Sequence, residues 1–174
     1  MRVAPTLTTK RLIIQPISLA HWEAYAVAWA DPRMTRFVAG KPRTEAENWI
    51  KFLSGSALWS FLGYGYWAFC DRQNGQFLGS GGLAQFHRGI AELEGRVEAG
   101  WGLVPDAWGR GVATEAMAAV FAWADTELKP PEIRCIIDPS NAASERVAAK
   151  VGFVKIGEAE DIIGRTNLYS RKPR

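Results

Sequence analysis

The 174-residue sequence predicts an α/β fold, one domain with a mixed sheet, and three observations carry that prediction. Short apolar runs with strand character alternate with segments whose apolar residues recur every three or four positions. No Pro/Gly/Ser-rich interior linker, repeat or charge block divides residues 1–174. The composition, 48% hydrophobic and 22% charged, suits a chain of this length closing one substantial core.

Each element has a local reason. Arg11 to Gln15 reads as a strand ended by Pro16, and Ser18 caps a helix from Leu19 to Ala30 that Asp31-Pro32 stops. Thr44 with Glu47 is a capping box for a second helix, expected to end near Gly55. The Gly55–Gly65 stretch, with Trp59, Phe61 and Tyr64, reads either as a mobile loop over a substrate face or as a buried connection. Tyr66 to Asp71 and Phe77 to Phe86 flank a Gln73-Asn74-Gly75-Gln76 turn and form a hairpin. Arg96 to Val104 is a strand. A helix from Val112 to Leu128 follows, marked by Ala113, Met117, Val120, Phe121, Ala124 and Leu128, and Ile133–Ile137 is the next strand. A short helix after Asn141 ends at Gly152, with Ser140 or Asn141 as its cap. Strands near Phe153–Gly157 and Ile162–Ser170 close the chain.

The most informative junction is Val104-Pro105-Asp106-Ala107-Trp108-Gly109-Arg110-Gly111-Val112-Ala113-Thr114-Glu115. A strand breaks at proline, glycines follow, and a helix starts. Glycines at a helix N-terminus let several backbone N–H groups converge, and the helix dipole adds positive potential, so a phosphate is the natural occupant. The segment lacks the Lys-Ser/Thr pair of a Walker loop. Thr114 stands where the third glycine of a dinucleotide fingerprint belongs.

The spacing instead resembles the acetyl-coenzyme A loop of the GNAT superfamily of N-acetyltransferases, and more narrowly the branch that includes the ribosomal-protein alanine acetyltransferases. The family form Q/R-x-x-G-x-G/A falls on Trp108 to Ala113, and Trp108 replaces the usual Gln or Arg. Asn141-Ala142-Ala143-Ser144 through Lys150-Val151-Gly152-Phe153 resembles a second family motif. The resemblance implies a single GNAT domain: a mixed, mostly antiparallel twisted sheet, flanked by helices and splayed at its central strands. It further implies that the backbone of Trp108, Gly109, Arg110, Gly111, Val112, Ala113 and Thr114 holds the pyrophosphate of acetyl-CoA. Asn141 and Ser144 would lie beside the pantetheine arm and its sulfur, and the backbone N–H groups of Leu103 and Val104 would stabilise the oxyanion. Arg110 is read as meeting a phosphate or as a solvated loop arginine, and Trp101 and Trp108 as core rather than stacking residues.

Acetyl transfer to an amine needs a neutral nucleophile, an oxyanion site and aligned substrates. Glu98, on the strand entering the glycine loop, is the expected base, because its strand neighbours are small or apolar. Ser144 is expected to position the sulfur or relay a proton. Many family members carry a tyrosine acid at the position of Ala148, so that acid is excluded here. Glu92 and Glu94 read as surface charge, His87 and Arg88 as a solvated loop with substrate contact as the alternative, and His21 as structural. Tyr64, Tyr66 and Trp67 are read as an apolar acceptor wall or as core.

The remaining expectations are bounds. A net charge of +3, from 21 basic and 18 acidic residues, suits an anionic co-substrate and does not argue for nucleic acid. Two histidines make a histidine metal site unexpected, and Cys70 and Cys135 read as buried thiols. Met1 to Leu12 has no apolar leader and no stretch reaches membrane-spanning length, which points to a cytoplasmic enzyme. No cysteine lies in the motif region, so the reading is direct attack in a ternary complex by a protein N-terminus or a small amine. Transfer from another acyl-CoA, and a non-catalytic acyl-CoA-binding module, are the alternatives. A homodimer is expected by analogy with relatives alone.

Overall fold

The computed structural model describes residues 4–38, 40–161 and 164–174. The N-terminal half supplies β1 (Leu7–Thr8), β2 (Leu12–Pro16), a 3-10 turn at Leu19–His21, α1 (Trp22–Ala30), α2 (Pro32–Thr35), α3 (Glu45–Leu62), β3 (Tyr66–Asp71) and β4 (Phe77–Ala84). The remainder supplies β5 (Val97–Leu103), α4 (Val112–Trp123) extended by a π turn at Ala124–Leu128, β6 (Ile133–Ile137), α5 (Ala142–Lys150), β7 (Val154–Asp161) and β8 (Gly164–Arg171). One eight-stranded sheet runs β1-β2-β3-β4-β5-β6-β8-β7. Every neighbour pair is antiparallel except β5 and β6, which α4 connects as the crossover that parallel pairing demands. The mixed, mostly antiparallel sheet flanked by helices is thus observed.

Two cores cover the two faces. On one face α4 buries Ala113, Ala116, Met117, Val120 and Phe121, the three-and-four spacing visible in the sequence. On the other face α1, α2 and α3 bring Tyr25, Trp29, Met34 and Phe52 into a second cluster. Arg171 of β8 ties three elements together under the first core. Its guanidinium pairs with Asp125 at 2.6 Å, donates to the Val151 carbonyl at 3.1 Å and lies 4.7 Å from the Phe121 ring centroid.

The main departure from sequence expectation is α3. It does not stop near Gly55, and Gly55–Gly65 is neither a mobile loop nor a buried connection: the helix runs on to Leu62, and Gly63 caps it in the left-handed region. Trp59 supplies the reason. Its ring packs edge-on against Trp67 and Trp123, at 4.6 and 5.4 Å between centroids, and its indole N–H donates to the Tyr66 carbonyl. Tertiary packing therefore overrides the weak local preference of Ser54, Gly55 and Ser56, and both serine hydroxyls fold back onto helix carbonyls. Other boundaries shift less. β4 ends at Ala84 instead of Phe86, and β7 runs to Asp161 instead of Gly157. The expected start of the last strand, at residues 162 and 163, lies outside the described residues.

Because Arg171 is 4% exposed, removing its partner strands a buried charge. Asp125→Ala is expected to lower unfolding stability by about 3 kcal/mol, read as a shift of the urea midpoint at unchanged slope.

Candidate functional site

β5 and β6 pair at two positions only, Val97 with Ile133 and Glu98 with Arg134. Beyond Glu98 the strands part, which is the splay the resemblance implied. A cleft of about 150 Å³ opens there, with Gly100 and Trp101 on one wall, Cys135 and Ile137 on the other, and Asn141 and Ser144 at one end.

The register of β5 against β4 settles which backbone groups face the gap. Val104 N–H donates to the Leu78 carbonyl at 2.9 Å. In an antiparallel ladder the donors alternate, so Gly102 and Gly100 also turn toward β4, while Ala99, Trp101 and Leu103 turn their N–H groups toward β6; that of Ala99 is taken up by the Glu98–Arg134 pairing, and those of Trp101 and Leu103, beyond it, face the opening. The expectation for Val104 is therefore corrected: its N–H is engaged within the sheet. That of Leu103 points the right way, and Trp101 adds a second, missed from sequence because backbone direction is not written in side-chain identity. The Trp101 indole N–H is also buried without an acceptor among the described residues.

Glu98 is the last paired residue and is 5% exposed. Its Oε1 accepts from Arg88 at 3.1 Å, whereas its Oε2 is buried with no hydrogen-bond partner among the described residues. Burial pushes this carboxyl above the ordinary glutamate range; Arg88 pulls it down and the Asp161 carboxylate pushes it up. Arg88 is an exposed loop residue, as the sequence reading had it, but its guanidinium is anchored on Glu98 and lies 4.9 Å from the Phe86 ring centroid. His87 does remain exposed, paired with Glu94 at 3.0 Å.

Tyr66 is the side chain that the sequence left between wall and core. Tyr66, Gly82 and Gly100 are cross-strand neighbours on β3, β4 and β5, so they share a face with Glu98. The phenol oxygen occupies the space a Cβ at Gly100 would need, which is why glycine stands there. Burial, and then the Glu98 charge, push the Tyr66 hydroxyl well up, so it stays a neutral donor. Trp67 and Tyr64 are core. On the same face the Trp29 ring edge lies over Gly102, 3.0 Å from where its Cβ would be.

The glycine loop has the form an anion needs. Gly109 and Gly111 sit at φ +70° and +76°, and a Cβ on Gly109 would project into open space. Among the described residues the N–H groups of Gly109, Arg110 and Gly111 donate to no backbone or side-chain acceptor. The first turn of α4, including Val112, Ala113 and Thr114, has no capping side chain. Arg11 buttresses the loop, bonding the Arg110 carbonyl at 2.8 Å and pairing with Glu115 at 2.6 Å, and Glu115 also accepts from Thr9. Trp108 is not the core residue expected from sequence: it is half exposed and pins the loop to its strand, its indole N–H donating to the Leu103 carbonyl at 2.7 Å. The Arg110 side chain is exposed and reaches back to the Asp106 carbonyl. These residues fit a pyrophosphate. Asn141 caps α5 by accepting from Ser144 N–H at 3.1 Å, and both residues line the cleft. Cys135 also lines it, but burial pushes its thiol far up, away from the nucleophilic thiolate form.

Comparison with known proteins agrees with this geometry. Residues 11–154 match the family model described as an acetyltransferase (GNAT) domain. An uncharacterized N-acetyltransferase of Bacillus subtilis, YoaA, is 28% identical over 98% of this chain and 98% of its own. A GNAT-family acetyltransferase structure from Bordetella pertussis superposes with a TM-score of 0.85 at 25% identity, covering 97% of this chain and 99% of its own. The ribosomal L7/L12 alpha-N-protein acetyltransferase RimL, solved with coenzyme A, shares the fold at a TM-score of 0.75 and 13% identity, over 97% of this chain and 98% of its own. With its glycine loop, splayed strands and matched domain, this chain belongs to the GNAT acetyltransferase family, whose members use acetyl-CoA as acyl donor.

Proposed function

We propose that this protein moves the acetyl group of acetyl-CoA to a primary amine, of a protein N-terminus or a small molecule, by direct attack within a ternary complex. The observation that carries the reading is the Glu98 carboxylate: buried, with one oxygen unpartnered, at the point where β5 and β6 separate. An ammonium reaching Oε2 satisfies that oxygen and gives up its proton to it, and the raised affinity of the carboxyl for protons favours the transfer. The amine nitrogen then forms the C–N bond as the C–S bond breaks. The N–H groups of Trp101 and Leu103 supply charge stabilisation at the opening, Gly109 to Thr114 hold the pyrophosphate, and Asn141 and Ser144 flank the pantetheine. With no tyrosine at Ala148, the sulfur receives its proton from water, and Ser144 aligns that exchange. Cys135 is too strongly protonated for a covalent acyl-enzyme.

The experiment is a thiol-release assay with acetyl-CoA across peptides with free N-termini and small amines. Glu98→Gln is expected to lower kcat about a hundredfold or more while coenzyme A binding by calorimetry is kept; full turnover in the variant overturns the base assignment. Ser144→Ala is expected to cost less than about tenfold in kcat, the worth of one hydrogen bond. The acidic limb of kcat/KM titrates Glu98. Because Arg88 holds that carboxyl down, Arg88→Gln raises its pKa, and since the reaction needs the carboxylate, the limb moves to higher pH. A limb that stays in place in the pH–rate profile sinks the assignment.

A further inference from the structure

We propose that Tyr66 contacts the acceptor: its hydroxyl donates to a carbonyl oxygen borne by the carbon next to the acceptor's amine. The acceptor class is then an α-amino carbonyl compound rather than a simple alkylamine. The inference rests on the amine-acetyltransferase reading above and deepens it.

The sheet separates the two substrates. α4, which the glycine loop starts, and α5 pack with Ala99 and Leu103 of β5 on one face. Trp67 and Phe69 of β3 belong to that face too, so Tyr66 and Ala68, alternating with them, turn to the other. Glu98, Gly100 and Gly102 share that second face. A group that meets Tyr66 therefore arrives with the amine that meets Glu98, and not with the pantetheine.

Tyr66 reaches across a neighbouring strand to stand there. It pairs with Gly82 on β4, and Gly82 pairs with Gly100 on β5. Neither glycine has a side chain to stop the ring, and the hydroxyl ends where a Cβ on Gly100 would stand. Two residues of strand, about 7 Å, separate that position from the root of Glu98. The nitrogen and oxygen of an α-amino carbonyl lie about 3 Å apart, and a hydrogen bond of about 2.8 Å at each end spans a separation of that order.

The hydroxyl is uncommitted. It lines the cleft and has no hydrogen-bond partner among the described residues. Burial and the Glu98 charge keep its proton in place, so it donates a hydrogen bond and is no acid for the departing sulfur. Other groups on this face do not substitute for it. Ser80 stands across from Gly102, two residues further from Glu98. Arg88 is bound to Glu98 itself, Phe37 and Val38 are apolar, and Trp29 presents ring carbons over Gly102. An alkylamine leaves the hydroxyl without an acceptor once the site is filled, a cost that an α-amino carbonyl removes.

The test is thiol release from acetyl-CoA by the whole protein, with alaninamide, an Ala-Gly-Gly peptide amide and isopropylamine as acceptors. The first two carry the carbonyl, and isopropylamine puts a methyl group in its place. The expected kcat/KM per neutral amine is at least about fivefold higher for a carbonyl acceptor than for isopropylamine. In Tyr66→Phe that ratio falls toward one, through a higher KM of the carbonyl acceptor, whereas in Ser80→Ala it is kept. Each ratio compares two amines in one protein, so a general loss of folding or of coenzyme A affinity cancels. A drop seen with the amide, the peptide or both supports the proposal and names the source of the carbonyl. Should Tyr66→Phe fail to fold, the ratio in the unaltered protein decides alone. A ratio near one there, or a ratio unchanged in folded Tyr66→Phe, overturns the proposal and leaves the transferase reading standing. Absence of thiol release from every amine overturns both.

Discussion

The structure turns on a ladder that stops. β5 and β6 share two residue pairs and then separate, so the groups that would have hydrogen-bonded one another instead face a gap. Unpaired strand amides inside a protein are unfavourable unless a ligand or water takes them, and this protein concentrates them where the cofactor motifs converge. Glu98 sits at the last pair, the glycine loop begins at the other end of the same strand, and α5 closes the gap from β6. One interruption in pairing therefore fixes the positions of Glu98, the glycine loop and the outward-facing amides together.

Period two along β5 keeps the duties apart. Ala99 and Leu103 pack toward α4 and the larger core, whereas Glu98, Gly100 and Gly102 look toward α1, α2 and α3. The glycines on that second face are spaces occupied by Tyr66 and Trp29, which form its floor with no bulk of their own from β5.

Buried ions appear in two contrasting settings. Arg171 and Asp125 form a two-pronged pair with both partners satisfied, joining α4's π turn to β8. Glu98 has one oxygen satisfied and one not, which costs stability but leaves an acceptor ready for a donor from outside. The first arrangement is closed and the second is open; the difference lies in the unfilled hydrogen bond.

Much of this molecule was determined by local physics and was therefore legible. Periodicity marked α4, Thr44 and Asn141 announced their helices, and the glycines after Pro105 specified a loop of free N–H groups. Glu98 could be singled out because its strand neighbours are small. Other features depend on residues far apart in the chain. Trp59 carried α3 past Gly55 only because Trp67 and Trp123 wait for it, Arg88 met Glu98 through a loop of no local signature, and the strand register that spends Val104's N–H on Leu78 is a property of pairing. Sequence by itself determined the elements and the chemistry they carry, since capping, turn geometry and periodicity act within a few residues. Tertiary structure alone decided which amides face the gap and which cation meets Glu98, because those follow from distances between segments that no local pattern encodes.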